Sequence, residues 1–176
     1  MPRLQTIDPT TDTGPGAEML NGPLKNKQIN IFKGLAVNPG ALKAFLGFSG
    51  GIKGGALSDA EHEVVALTTS QERNCHYCLA AHTQIARGAG IDEEQALRIR
   101  QGTSDDPRHR ALIGFTTAIL DSDGFISDDQ LESFRAAGFD DAAVIEVIGQ
   151  IAAMTFTNLY NHVNETEVDF PVPASV

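Results

Sequence analysis

Helix-capping motifs constrain the fold of this chain more than any other feature. Ser58-Asp-Ala-Glu61 and Ser127-Asp-Asp-Gln130 each place a hydroxyl three residues before an acid or amide, a pattern that satisfies the free amides at a helix start. Prolines suited to a first turn and glycines suited to a helix end mark further boundaries at Pro39, Pro107, Gly88 and Gly138. Alternating strand patterns are absent, so we expect an all-α fold of about seven or eight helices.

The expected domain runs over residues 23–171, after an N-terminal arm at residues 1–22 and before a C-terminal tail at residues 172–176. The arm is rich in Pro, Thr, Asp and Gly, and we expect it to be extended with room for one short helix. A first domain helix is predicted over Leu24–Val37, since proline at position 39 resists its continuation.

The last predicted helix is capped by Asp140 and reaches about Val163. It is apolar on more than one side, which is typical of a helix central to a domain or shared with another subunit. We therefore expect a homo-oligomer. Its most apolar part, Ala142–Phe156, is short for a membrane span and is interrupted by Glu146 and Gln150.

The composition of the chain argues against some classes of binding partner. A net charge of −10 over 176 residues argues against binding nucleic acid, which needs clustered Lys and Arg. The first twenty residues lack the charged start and apolar stretch of an export signal. We expect a cytoplasmic protein with neither a nucleic-acid nor a membrane partner, a setting in which a close pair of cysteines is more often redox-active or metal-binding than structural.

The chemistry concentrates in four residues, Glu63, Cys75, Cys78 and His82, which include the only two cysteines of the chain. On a helix that starts near Cys75, both thiols and the imidazole share one stripe, with Cys78 and His82 one turn apart. The thiols lie in the first turn, where free amides and the helix dipole stabilise a thiolate. Glu63, on the preceding helix, can face them if the two helices pack as a hairpin.

This arrangement suggests a peroxide chemistry. His82 and Glu63, directly or through a water, could take the proton of Cys78, whose thiolate would attack an O–O bond and become a sulfenic acid. Cys75 would resolve that species to a Cys75–Cys78 disulfide, which an external dithiol would then reduce. The scheme needs a small hydroperoxide substrate and a dithiol or lipoyl-type reductant, and no bound cofactor.

Two other interpretations stay open. Two small thiols also fit an apolar core, although His82 and Glu63 would then be costly to bury. Zinc could be held by the two cysteines, His82 and one of His62 or His76 in a non-catalytic or redox-sensing module. A second cysteine pair or distal histidine pair is missing, however, and His76 would point away from Cys78. We therefore expect no metal.

Two minor expectations concern other polar residues. His62 is expected on the solvent side of its helix. Asn158, Asn161 and His162, near the end of the last helix, could line a pocket, although a helix C-terminus also favours a histidine electrostatically.

The run from Glu63 through Cys75-His-Tyr-Cys78-Leu-Ala-Ala-His82, followed by Gly88-Ala-Gly90, resembles the alkylhydroperoxidase (AhpD-like) branch of the carboxymuconolactone decarboxylase family. Asn38-Pro39 upstream and Asn161 with Asp169-Phe-Pro171 downstream agree with it.

The resemblance implies an all-helical AhpD-like fold, assembly into homo-oligomers and thiol peroxidase activity on hydroperoxides. It implies that Cys78 reacts with peroxide, that Cys75 resolves, and that Glu63 and His82 relay protons. The family has a further histidine where this chain has Tyr77, so the relay is either incomplete or rebuilt through the Tyr77 hydroxyl as an auxiliary group. A family member that acts on a lactone-type molecule stays an alternative, although the decarboxylase branch lacks the cysteine pair.

Overall fold

The structure, a computed structural model, describes residues 2–176. Within that range the chain forms nine α-helices and no β-strand, and the all-α prediction is confirmed. The helices are α1 (Pro15–Asn21), α2 (Asn30–Leu35), α3 (Pro39–Gly51), α4 (Asp59–Glu72), α5 (His76–Gly88), α6 (Glu93–Arg100), α7 (Pro107–Asp121), α8 (Asp128–Ala136) and α9 (Asp141–Asn164). All but α1 correspond to predicted helices, and α1 is the short helix allowed for in the N-terminal arm.

The predicted caps set the helix boundaries. Side chain and backbone bond reciprocally in three capping boxes, formed by Ser58 with Glu61, Asp92 with Gln95 and Ser127 with Gln130. Each pair satisfies amides that the first helical turn leaves without partners. Asp140 caps α9 through a 2.9 Å bond from the Ala143 amide.

The helix predicted over Leu24–Val37 is too long, because α2 covers only Asn30–Leu35. The amides of Leu24, Lys25 and Lys27 bond instead to carbonyls three to five residues earlier, in turns that follow α1. Leu24 is nevertheless buried, as is Ile31. The apolar residues whose spacing suggested one helix therefore lie partly in a turn and partly in a short helix, both of which pack against the core.

Helix α4 lies at the centre of the fold and packs against α5, α6, α7 and α9. Every residue from Glu61 to Ser70 is buried, as expected for a helix enclosed by its neighbours. On one side, α7, α8 and α9 contribute a core that includes stacked phenylalanine rings at Phe115, Phe134 and Phe139. On the other side, a second cluster from the N-terminal helices encloses both cysteines.

Helix α9 is long and apolar enough to cross a membrane by length and composition alone, and no other helix within residues 2–176 is. More than half of its most apolar window is nevertheless buried inside the protein, against α3, α4 and α5. The core helix of a folded domain accounts for this pattern.

The two chain ends run beside one another. The amides of Arg3 and Leu4 bond to the backbone and side-chain oxygens of Asn164 at the end of α9, at 2.8 and 2.9 Å. Farther along, Asp169 accepts a 2.7 Å bond from the amide of Asn30, at the start of α2. The domain boundaries at residues 22 and 171 stay a prediction.

Candidate active site

A helical hairpin brings the four candidate residues together. Glu63 lies on α4, and Asn74 turns the chain with a positive φ of 52° before α5 begins. Cys75 is the N-cap of α5, and its amide bonds to the Ser70 carbonyl at 3.0 Å, which closes the turn. Cys78 and His82 follow on α5 one turn apart, as the spacing predicted.

Cys75 and Cys78 form a disulfide. The Cys75 sulfur also takes the place of a capping side chain, because it accepts a 3.3 Å hydrogen bond from the Cys78 amide. Both cysteines are buried, Cys75 completely and Cys78 to all but 3% of its surface. The pair is therefore closed and lies at the positive end of a helix, where a thiolate is stabilised.

Glu63 and His82 form a hydrogen-bonded pair across the hairpin. Oε2 of Glu63 lies 2.7 Å from Nδ1 of His82, and the carboxylate is almost completely buried, whereas 19% of the imidazole side chain is exposed. A carboxylate that accepts from Nδ1–H fixes the ring orientation and leaves Nε2 as the nitrogen that can exchange a proton. The pair has the geometry of an oriented general acid–base group beside Cys78.

Asn161 reaches the site from α9. Its Nδ2 donates to Sγ of Cys78 at 3.3 Å, and the residue is 5% exposed. The sequence suggested only that Asn161 could line a pocket. Its contact with Cys78 depends on how α9 packs against α5, which short-range spacing does not reveal.

The Tyr77 hydroxyl makes its hydrogen bonds to residues outside the Glu63–His82 pair. It donates to Oδ1 of Asp169 at 2.8 Å and accepts a 3.2 Å bond from the amide of Ile31. Phe170 packs edge-on against its ring. Burial raises the pKa of Tyr77 well above its ordinary value, and the Asp169 carboxylate raises it further. These contacts anchor the C-terminal segment and the start of α2, and an auxiliary relay role for Tyr77 stays a prediction.

The expectation that His62 faces solvent is wrong. His62 is 1% exposed, and its Nε2 lies 3.2 Å from Oε2 of Glu146 on α9. Glu146 also accepts bonds of 2.9 Å from the amides of Ala56 and Leu57. The sequence did contain an indication of this contact. Glu146 interrupts the apolar run of α9, and a buried carboxylate needs a polar partner.

The electrostatics of this second pair follow from its surroundings. Burial, with the charge of Lys53, lowers the pKa of His62, although Glu146 opposes that shift. Burial raises the pKa of Glu146, but the two backbone hydrogen bonds and His62 outweigh it, and the net shift is downward. Glu146 thereby ties both α4 and the loop before it to α9.

The proposed zinc ligands are dispersed. Cys75 and Cys78 are joined to one another, His62 pairs with Glu146, and His76 is exposed at the start of α5. Across residues 2–176, no group of three His, Cys, Asp or Glu side chains is arranged to hold a metal ion.

Residues 39–105, which carry all four candidate residues, match the model of the carboxymuconolactone decarboxylase family. The resemblance to this family is confirmed. No curated protein sequence matches the chain.

Solved structures share the fold. A peroxidase-related protein with an alkylhydroperoxidase AhpD core from Ralstonia eutropha JMP134 superposes with a TM-score of 0.85 at 20% identity, over 96% of this chain and 92% of that one. A peroxidase-related protein from Silicibacter sp. TM1040 gives 0.75 at 23% identity, over 85% and 81%. The debrominase Bmp8, solved with 2,3,4-tribromopyrrole, gives 0.68 at 20%, over 80% and 76%. At these identities the likeness establishes the AhpD-like helical fold.

Proposed function

We propose that this protein is a thiol-dependent hydroperoxide reductase. The observation that carries the proposal is the oriented Glu63–His82 pair, 2.7 Å apart and one helical turn from a cysteine that is already paired in a disulfide. A structural disulfide needs no acid–base group beside it. A peroxide-reacting thiol needs one, both to lose its proton and to protonate the departing alkoxide.

The catalytic cycle starts from the reduced pair. The Cys78 thiolate attacks the terminal oxygen of a hydroperoxide, the O–O bond breaks, and Cys78 becomes a sulfenic acid. His82, held by Glu63, delivers to the leaving alkoxide the proton that it took from the Cys78 thiol. The product is an alcohol, and the peroxide has been reduced by two electrons.

Cys75 completes the oxidation. Its thiol attacks the Cys78 sulfenic acid, a water molecule leaves, and the Cys75–Cys78 disulfide forms. A dithiol or lipoyl-type reductant then attacks the disulfide. The reductant is oxidised to its own disulfide, and both protein thiols are restored. The position of His82, one turn after Cys78 on α5, supports Cys78 as the sulfur that reacts with peroxide.

The comparisons support the same reaction class. Two of the similar structures are described as peroxidase-related, and a third, from Agrobacterium tumefaciens, as a putative antioxidant defence protein of the AhpD type. A reducing cytoplasm would supply the dithiol that the cycle requires.

The proposal is tested by peroxide consumption with several dithiol donors, dihydrolipoamide included. Turnover by the native protein, and none by Cys78→Ser, is expected. A variant with an exposed substitution on the same helix, His76→Gln, is the matched control. Absence of peroxide loss with every donor would refute the proposal, and stoichiometric zinc in protein purified without chelators would favour the metal-binding alternative. Because the similar protein Bmp8 is a debrominase, 2,3,4-tribromopyrrole should be assayed as a second substrate.

We also propose that the protein is a homo-oligomer that associates through the outer face of α9. Large apolar side chains recur there at helical spacing and remain 40–69% exposed, at Ile145, Ile148, Phe156, Leu159 and Val163. A continuous exposed apolar stripe of this kind marks an interaction surface. The resemblance to the family supports a second copy of the chain as its partner.

Light scattering tests this assembly. Leu159→Glu on the stripe should shift the mass toward the 18.8 kDa of one chain. Phe125→Glu, at the most exposed phenylalanine and away from α9, should leave the mass unchanged. A native mass of one chain would contradict the assembly.

A further inference from the structure

The two sulfur atoms of the cysteine pair receive hydrogen bonds from different donors. Sγ of Cys75 accepts from the Cys78 amide at 3.3 Å, as part of the helix cap. Sγ of Cys78 accepts from the Asn161 side chain, also at 3.3 Å. The backbone donor is fixed by the helix, whereas the second donor depends on a single side chain from another helix.

Asn161 has no other side-chain partner among residues 2–176. Its Oδ1 is buried without a hydrogen bond, although a buried amide oxygen is costly to leave unpaired. Asn164, one turn later on α9, is different, because its side chain bonds to the Leu4 amide and the Thr166 hydroxyl and so anchors the chain ends. The Asn161 amide is therefore directed at the cysteine sulfur rather than at the scaffold.

We infer that Asn161 is a positioning residue that makes Cys78, rather than Cys75, the thiolate of the reduced pair. The inference rests on the proposed function and deepens it, since it says how the protein chooses the attacking sulfur. An N-cap sulfur that accepts a backbone amide bond is itself a good thiolate, so the helix alone would favour Cys75. The Asn161 donor opposes that preference.

Reduction of the disulfide leaves a single negative charge on the cysteine pair. An external dithiol gives two electrons that break the Cys75–Cys78 bond, and the dithiol becomes a disulfide. Of its two protons, one stays on the pair and one is taken by His82, as in the proposed cycle, which leaves one thiol and one thiolate. A hydrogen bond to an ionised sulfur is stronger than one to a neutral sulfur, so the sulfur with the better donor keeps the charge.

Among the titratable groups near the pair, His82 follows Cys78 by one turn of α5 and, as the proposed base, also favours a Cys78 thiolate. Glu63 faces the hairpin from α4 and His82 from α5, and their side chains contact one another. Tyr77 and Tyr160 belong to the same apolar cluster and are neutral, because burial raises the pKa of each phenol. Among residues 2–176, Asn161 is the side chain that donates a hydrogen bond to Cys78 and not to Cys75.

The test measures which cysteine is the thiolate, without any peroxide. Reduced protein is labelled with substoichiometric iodoacetamide, and the ratio of labelled Cys78 to labelled Cys75 is read by peptide mass spectrometry. The ratio at about pH 7 is divided by the ratio at about pH 10, above the ordinary thiol pKa of about 8.5, where both thiols ionise and only accessibility differs. The quotient therefore reports protonation alone.

The native protein should give a quotient above one, and Asn161→Leu should lower it about tenfold, as expected for one charge-assisted hydrogen bond. Asn161→Asp, which keeps the shape and adds a negative charge, should lower it further. Asn164→Ala, a structural control on the same helix, should keep the native quotient. Unchanged quotients in both Asn161 variants, or an equal fall in Asn164→Ala, would overturn the inference. Peroxide turnover is not part of the readout, so failure of the proposed function would be distinguishable.

Discussion

Nδ1 of His82 lies 2.7 Å from Oε2 of Glu63, although the two residues belong to different helices and are nineteen positions apart. The carboxylate is buried and the imidazole is partly exposed, so the pair connects the interior of the protein with its surface. Such a carboxylate orients the ring and stabilises its protonated form when it accepts a proton.

Replacing Glu63 by glutamine should slow the oxidation of the thiols by peroxide. The neutral amide stabilises the protonated imidazole less well, and general acid–base groups typically contribute at least 10²-fold, so we expect a loss of about 10²-fold. Stopped-flow thiol oxidation measures the rate. Glu72→Gln, an exposed substitution on the same helix, is the control. Equal rates in the two variants would remove Glu63 from the mechanism.

The roles of the two cysteines can be separated by trapping. Cys75→Ser leaves the Cys78 sulfenic acid without its resolving thiol, so a dione probe should label Cys78 after peroxide treatment. Cys78→Ser should give no comparable label on Cys75. Mass spectrometry of the labelled peptides decides, and equal labelling in both variants would contradict the assignment.

Local sequence signals predicted much of the fold because they act within one helical turn. The capping boxes at Ser58 and Ser127 form as expected, and the spacing of Cys75, Cys78 and His82 placed them on one stripe. The spacing also allowed Glu63 to face them from α4.

What the sequence could not supply depends on packing between distant segments. The Asn161 amide meets Cys78 across 83 positions, through the rotation of α9. The buried face of α4 extends all round the helix, so no amphipathic pattern indicated that His62 points inward.

Tyr77, Asp169 and the backbone at the start of α2 form one hydrogen-bond network, which should stabilise the fold. Tyr77→Phe leaves the buried Ile31 amide without its partner, which costs about 1–3 kcal/mol, and removes one of the hydrogen bonds that hold Asp169. Asp169→Ala should cost a similar amount, and the double variant should lose less than the sum because the network is shared. Urea unfolding measures the free energies.

A matched control is available for that series. The Tyr160 hydroxyl is buried without a hydrogen-bond partner within residues 2–176, so Tyr160→Phe should cost little. Strictly additive losses for Tyr77→Phe and Asp169→Ala would contradict a shared network. A loss of thiol oxidation in Tyr77→Phe that Asp169→Ala does not share would instead favour an auxiliary relay role.

The free energy of unfolding should fall as the pH drops below about 6.5. Burial lowers the pKa of His62 in the folded state from its ordinary 6.5, so the unfolded chain binds this proton first and stability decreases on acidification. The lowered pKa of Glu146 contributes only below its ordinary 4.5. Urea unfolding between about pH 5 and 6.5 separates the contribution of His62 from that of Glu146.

The control for this prediction is another histidine. His62→Gln should flatten the pH dependence in that window, and His76→Gln, at an exposed position, should retain it. The same slope in all three proteins would assign the effect to other groups.

The central claim is that Cys75 and Cys78 form one two-electron centre for hydroperoxides. A single-turnover reaction of the reduced protein with one equivalent of an organic hydroperoxide, followed by thiol counting and disulfide mapping, tests it most directly. The account predicts two thiols lost and one alcohol formed for each peroxide consumed, with a Cys75–Cys78 disulfide as the only protein product. Unchanged thiols with no loss of peroxide would contradict it.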